Sequence, residues 1–322
     1  MEAESHKKGG GSGFSVPKSG DATVALVGYP NVGKSSLLNA LTGVHSETGN
    51  FAFTTVSVIP GTMLYNGARI QILDLPGIIE SASSGSGRGR EILSVVRGAD
   101  LILLVTDNEM KGLDRIREEL YRAGIVINRK RRNVSVVRTG SNGIVIHAPK
   151  KVMVNSDDIR EILHEFRIMN ADVYIRESVT LEDIIESVRG SYVYVKAIVT
   201  VNKSDLGIVN YSVAESFNGA SVVKVSARTG YGIDNLKEEI FRSLEMVRIY
   251  LMEKSGKIDR ERPLILRKSS TVRDVCRKIS RQMLSSFKYA YVISQGQMVQ
   301  NKRVGLDHVL RDGDIVHIVS VN

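Results

Sequence analysis

Residues 28–35 read Gly28-Tyr29-Pro30-Asn31-Val32-Gly33-Lys34-Ser35 and fill the pattern G-x-x-x-x-G-K-[ST]. Such a loop works only between a buried strand and the first turn of a helix. Its backbone N–H groups and the helix N-terminus must converge on phosphate oxygens. The flanks supply that context, with an apolar run at 23–27 before the loop and Leu37, Leu38 and Ala40 after Ser36. Lys34 then brings a point charge to the β- and γ-phosphates, and the Ser35 hydroxyl is placed to hold Mg²⁺.

Two further segments follow in the order a nucleotide pocket needs. A strand-like run at 69–73 ends in Asp74-Leu75-Pro76-Gly77. An acid at the carboxyl end of a strand can reach Mg²⁺ through water, and the glycine can present its N–H to a γ-phosphate. A second run at 197–201 ends in Asn202-Lys203-Ser204-Asp205. The Asp205 carboxylate can accept both the ring N–H and the exocyclic amine of guanine. Adenine offers no such pair, so a buried Asp205 would reject it. A last strand, 222–225, is closed by Ser226-Ala227-Arg228, where a backbone N–H can meet the guanine oxygen. Any one of these tetrapeptides could be a surface turn. Together and in order they predict a GTP/GDP site.

The chain's 322 residues leave room for two or three domains. Its single cysteine, Cys276, excludes an internal disulfide framework and points to a reducing compartment. No apolar run approaches 18 residues, so no transmembrane helix is expected, and the expected partners include neither a membrane nor DNA. The formal charge of +9 is unevenly placed, because 255–322 holds 13 Lys/Arg against 6 Asp/Glu. A basic appendage on a near-neutral body points to a polyanion, most simply RNA. The plainer alternative is a solvated basic face.

Strand signals at 23–28, 69–74, 100–106, 197–202 and 221–226 alternate with helical patterns. The fold class expected is α/β, a P-loop GTPase domain with a doubly wound, mostly parallel sheet. Residues 1–20 read as a flexible Gly-rich arm and 21–252 as the GTPase domain. The stretch from 107 to 197 is far too long for one crossover. Within it, 124–190 reads as a small inserted α/β subdomain. It contains a hairpin (134–137 and 144–146 around Gly140-Ser141-Asn142-Gly143) and a basic run, Arg129-Lys130-Arg131-Arg132, that is either solvated or in contact with RNA. In the tail, Thr271 and Asp274 form a capping-box pattern. Val272, Val275, Cys276, Ile279 and Met283 make an apolar side, and Arg273, Arg277 and Arg281 a basic stripe. Cys276 falls on the apolar side and reads as core.

Across nearly its whole length the chain resembles the DRG branch of the Obg-type GTPases, the developmentally regulated GTP-binding proteins of archaea and eukaryotes. The likeness is carried by the Gly-rich approach 7–13, the phosphate loop, Phe53-Thr54-Thr55, Asp74-Leu75-Pro76-Gly77 and the Gly-Arg-rich 85–90. It continues through Leu163-His164-Glu165-Phe166, Asn170-Ala171-Asp172-Val173, Asn202-Lys203-Ser204-Asp205, Ile265-Leu266-Arg267-Lys268 and Arg303-Val304-Gly305-Leu306. The resemblance implies that the insertion is like the second domain of ribosomal protein S5 and that 257–322 is a ubiquitin-like α+β TGS domain. It also implies a cytoplasmic, ribosome-associated translation factor. One departure is that family members carry a helical arm before the glycine run, whereas this chain starts almost at the glycines. In the Obg-like pattern the second threonine, Thr55, joins Ser35 on Mg²⁺, and Thr54 matters less.

Hydrolysis needs its own account. Ras-like GTPases place a water-orienting glutamine after the D-x-x-G glycine; here that residue is Ile78. Turnover is then either slow or assisted. Asn31 stands where potassium-activated relatives place an amide ligand for K⁺, and a cation there would stabilise transition-state charge. The expected catalytic set is Lys34, Thr55, Gly77 and Asn31. Three function classes fit: a GTP-hydrolysing switch that reads the ribosome through its basic module, a switch acting on a regulatory protein partner, and a GTPase attached to an RNA-modifying activity.

Overall fold

The computed structural model describes residues 18–43, 58–76, 87–110, 112–149, 154–207, 219–253, 255–294 and 302–321. The chain divides into two compact units, one of Met1–Ile116 with Lys196–Asn322 and one of Arg117–Val195. Among the described residues, no helix is long and apolar enough to cross a membrane.

The first unit is built on β1 (Ala22–Val27), β2 (Ile59–Tyr65), β3 (Ala68–Asp74), β4 (Leu101–Thr106), β9 (Val193–Val201) and β10 (Val222–Lys224). They lie in the order β10-β9-β4-β1-β3-β2, and all pairs are parallel except β2 with β3. Every residue of β1 and of β4 is buried. Both sequences therefore run apolar without alternation, the mark of strands covered on both faces. Helix α1 (Lys34–Thr42) buries Leu37, Leu38 and Leu41, and α6 (Ile233–Ser243) buries Ile233, Leu236 and Ile240. These side chains share one core with Leu26, Ile70, Ile72 and Leu103. A further helix, α2 (Gly87–Gly98), precedes β4. Strand β2 is absent from the sequence reading. Its signal was Asn66-Gly67, which turns β2 into β3 with φ of 49° and 81°, the left-handed pair a two-residue hairpin demands.

The same unit carries a second sheet, of β11 (Met246–Leu251), β12 (Leu264–Arg267), β13 (Phe287–Ile293), β14 (Lys302–Val304) and β15 (Ile315–Ser320), in the order β12-β11-β15-β13-β14. It starts earlier than residue 257, because β11 pairs with both β12 and β15. Helix α7 (Val272–Ile279) covers one face, burying Val272, Val275 and Cys276 against Ile249, Ala290, Val292 and Val316. The expected capping box is present, formed by Thr271 and Asp274. The basic stripe is not. Ser280 is extended (φ −164°, ψ 155°) and caps a new short helix, α8 (Arg281–Ser285), through Met283 N–H. Arg281 therefore leaves the helix that holds Arg273 and Arg277. Arg273 meets Asp307 at 2.8 Å, and Arg277 meets Asp274 at 3.6 Å. Two more tail cations turn to acids beside the first sheet. Lys278 reaches Asp21 at 2.9 Å and Arg267 reaches Asp100 at 2.9 Å. Met246 and Ile265 join the core of that sheet.

The second unit is entered along α3 (Leu113–Arg122). It holds β5 (Ile125–Ile127), β6 (Val134–Arg138), β7 (Ile144–His147), β8 (Ala171–Ile175), α4 (Ser156–Glu165) and α5 (Leu181–Arg189). β5 pairs with Val193, Tyr194 and Val195 of β9. The expected hairpin is overturned: β8 lies between β6 and β7, antiparallel to one and parallel to the other. In this order Val134, Val173 and Ile175 share a core with Ile159, Leu163 and Ile184 of the helices. The basic run is partly structural. Arg129 pairs with Asp183 and Glu186, both buried, and Arg132 with Glu177.

Candidate functional site

The carboxyl ends of β1, β3 and β9 bring three loops together. After β1 the chain tightens at Gly28, where a Cβ would collide with the Val105 carbonyl oxygen. Asn31 and Gly33 then take left-handed backbone, φ 63° and 89°. Asparagine tolerates that region and glycine is free in it. A side chain at Gly33 would also strike Asn202 Nδ2. Val32 is buried. No side chain caps the N-terminus of α1, and its first turn holds no acid. The helix dipole and the loop amides therefore point at an anion's position. Lys34 Nζ folds back over the loop, donating to the carbonyls of Gly28 at 3.1 Å and Tyr29 at 3.0 Å. Pro30 is exposed on the same loop and Ser36 on the first turn of α1.

Ser35, from the first turn of α1, donates a short hydrogen bond from Oγ to Asp74 at the end of β3. Asp74 is 7% exposed. Burial pushes its carboxyl above the usual range, against the Ser35 hydrogen bond and the Lys34 charge. Leu75 is buried and Pro76 exposed beside it. Phe53, Thr54, Thr55 and Gly77 lie outside the described residues, as does Ile78.

Asn202 ties the loops to one another. Its side chain is buried, and Nδ2 donates to the carbonyls of Val32 at 3.0 Å and Gly33 at 3.3 Å. Its Oδ1 accepts the Ala227 N–H at 3.0 Å. Lys203, itself left-handed, donates from Nζ to the Asn31 carbonyl. Asp205 stands on a 3₁₀ turn, Ser204–Leu206. Contrary to expectation this residue is at the surface, though its side chain is only 17% exposed. The Ser226 hydroxyl, with Arg228 ion-paired beside it, holds its carboxyl below the usual range. The backbone N–H groups of Ser226 and Ala227 are already engaged, with Tyr231 O and Asn202 Oδ1.

A cleft of about 210 Å³ opens between these loops, lined by Gly33, Ser36, Asn202, Lys203, Asp205, Ser226, Ala227 and Arg228. Leu206, 67% exposed, lines it too. The sequence reading missed this residue, a leucine within the polar turn Ser204-Asp205-Leu206-Gly207.

Residues 23–139 match the family described as a 50S ribosome-binding GTPase, and 141–246 match the C-terminal region of that domain. Residues 247–320 match the TGS domain. An uncharacterized GTP-binding protein of Methanocaldococcus jannaschii is 46% identical over 95% of this chain and 80% of its own length. A second one, from Halobacterium salinarum, is 42% identical over 99% of this chain and 89% of its own length. Developmentally-regulated GTP-binding protein 1 of Xenopus laevis is 39% identical over 97% of this chain and 86% of its own length. With a phosphate loop, an acid-bearing second loop and a base-side cleft on a parallel sheet, and a TGS domain behind them, the chain belongs to the DRG branch of the Obg-type GTPases, proteins that bind and hydrolyse GTP.

Proposed function

We propose that the chain is a GTP-driven switch of the cytoplasm that acts on the ribosome and touches it through its basic TGS domain. The observation that carries the switch is the Asn202 side chain. It joins the phosphate loop to the loop after β10 with three hydrogen bonds from a buried position. The phosphate end and the base end of a nucleotide are then held in one rigid frame. The ribosome part rests on the family description for 23–139 and on the excess of basic residues after 255.

In this reading α1 receives the phosphates on its first turn, and Lys34 exchanges two carbonyls for phosphate oxygens. Ser35 and Asp74 put two oxygens side by side, the hard donor set that suits Mg²⁺. Mg²⁺ would neutralise charge on the β- and γ-oxygens. Thr55 completes that set when a γ-phosphate is present, and the Gly77 N–H meets the same group. At the base end Arg228 yields Asp205 to the guanine N–H donors, and Leu206 packs on the ring. The guanine oxygen shares the Ala227 N–H or takes that of Arg228. With Ile78 in the glutamine position, the chain relies on a K⁺ ion beside Asn31 to hasten an otherwise slow reaction.

Two measurements test the reading. GTP turnover should rise severalfold when Na⁺ is replaced by K⁺, and Asn31→Ala should erase the difference. The protein should co-sediment with ribosomes more strongly with a non-hydrolysable GTP analogue than with GDP. Equal sedimentation in both states would remove the switch from the ribosome.

A further inference from the structure

Helix α7 covers one face of the C-terminal sheet, and the opposite face carries a different chemistry. Along β13 the side chains alternate. Ala290 and Val292 are buried beneath α7, while Tyr289 and Tyr291 stand half-buried on the other side. The two tyrosine rings meet edge to face, with centroids 5.4 Å apart at 82°. Arg303, from β14, lays its guanidinium over the Tyr289 ring at 4.0 Å. It faces Tyr291 directly across the strand pair, and His317 of β15 does so from the other flank. His317 is fixed by a hydrogen bond between Nδ1 and the Met252 carbonyl, 3.0 Å.

Charge on these strands has one sign. On the tyrosine side that charge is Arg303, since alternation puts Lys288 and Lys302, the latter opposite buried Val292, on the α7 side; none of the three strands contains an aspartate or glutamate. The α7 surface is different, since Arg273 and Arg277 are spent on Asp307 and Asp274. A solvated basic face needs no aromatic rings. A protein-binding face of this kind would gain from acids that set its partner's register, and these strands have none. Rings and a guanidinium plane on a face whose strands hold no acid suit unpaired bases, which stack on either surface with no carboxylate to repel their phosphates.

We infer that the face of β13, β14 and β15 turned away from α7 is a stacking platform for single-stranded RNA, with Tyr291 and the Arg303 plane over Tyr289 as the two surfaces that bases meet. This deepens the ribosome reading above and rests on it for the source of the RNA. Single-stranded segments are the target, because a duplex keeps its bases stacked on one another and offers no free face.

The test uses the full chain and a labelled single-stranded RNA dodecamer, with a duplex of the same sequence as the comparison. Tyr289→Leu with Tyr291→Leu keeps apolar area and removes both rings. It should weaken single-strand binding by roughly five- to hundredfold, leaving duplex and GTP binding unchanged. Because the chain has no tryptophan, Tyr291→Trp adds a unique reporter that retains a ring. Its fluorescence should be quenched by the single strand and not by the duplex. That reading holds even if the leucine variant folds poorly. Unaltered single-strand affinity in a folded leucine variant, or an unquenched Trp signal on bound RNA, overturns the platform. Loss of ribosome co-sedimentation with RNA affinity intact also overturns it and makes the face a protein contact. Failure of the ribosome reading has its own signature: wild-type protein that binds neither ribosomes nor RNA.

Discussion

Asn202 is the residue on which the nucleotide frame turns, and its replacement should be felt twice. Asn202→Ala leaves two loop carbonyls and the Ala227 N–H without their partner. A loss of about 2–4 kcal/mol in unfolding free energy is expected, read by denaturant melts, together with much weaker GTP binding. Asp205→Asn acts on the base alone. An amide cannot accept from both guanine donors, so GTP affinity should fall by roughly two orders of magnitude or more while xanthine nucleotides begin to compete. Equal GTP affinity in variant and wild type would remove Asp205 from the pocket. Thr55→Ala should spare GDP binding and cripple turnover, with Thr54→Ala close to wild type. The reverse result in a phosphate-release assay would shift the Mg²⁺ ligand by one residue. The runs 28–35 and 202–205 were legible as strand-end loops because each is contiguous in sequence and follows an apolar strand. Leu206 was not, since its place in the cleft depends on how the loop folds over it.

Elements were legible where neighbours in sequence are neighbours in space. β1, β3, β4 and β9 announced themselves by apolar runs, and α7 by its capping box. β6 and β7 were misjoined because their true partner, β8, lies later in the chain than both. No local pattern encodes that insertion. Ser280 misled in another way, since a serine breaks a helix only when its side chain finds a following N–H to cap. The join between β11 and the loop before β15 offers a pH test. Asp312 accepts from Arg248 through Nε at 3.0 Å and through the backbone N–H at 2.7 Å. The Arg248 side chain, donating to it, holds its carboxyl below the usual range. A depressed acid stabilises the fold at pH values above its unfolded pKa, and that contribution disappears as pH falls through the folded value. Thermal melts of wild type and Asp312→Asn should therefore differ by a fixed amount at neutral pH, of about 1 kcal/mol or less because both groups are partly exposed. The two curves should converge on acidification below about pH 4.

On the scale of the whole molecule, the tail's positive charge divides into two uses. Arg267 and Lys278 bind the TGS domain to Asp100 and Asp21 of the GTPase sheet, and Met246 and Ile265 seal the same junction. Exchanging the signs of one pair tests this. Asp100→Lys and Arg267→Glu should each lower the melting temperature, and the double variant should recover part of the loss, with a coupling of roughly 0.5–1 kcal/mol. The position of these ion pairs has a mechanical meaning. Asp21 and Asp100 each stand one residue before a strand, whereas Gly28 and Asp74 stand at strand ends on the nucleotide side. β1 and β4 therefore run between the two like parallel struts, each about 20 Å long at roughly 3.3 Å per residue. Stiff, fully buried rods bend little, so a push at one tip arrives at the other as a shift along the rod. A load on the tail would then alter the seat of the phosphates without any moving loop between them.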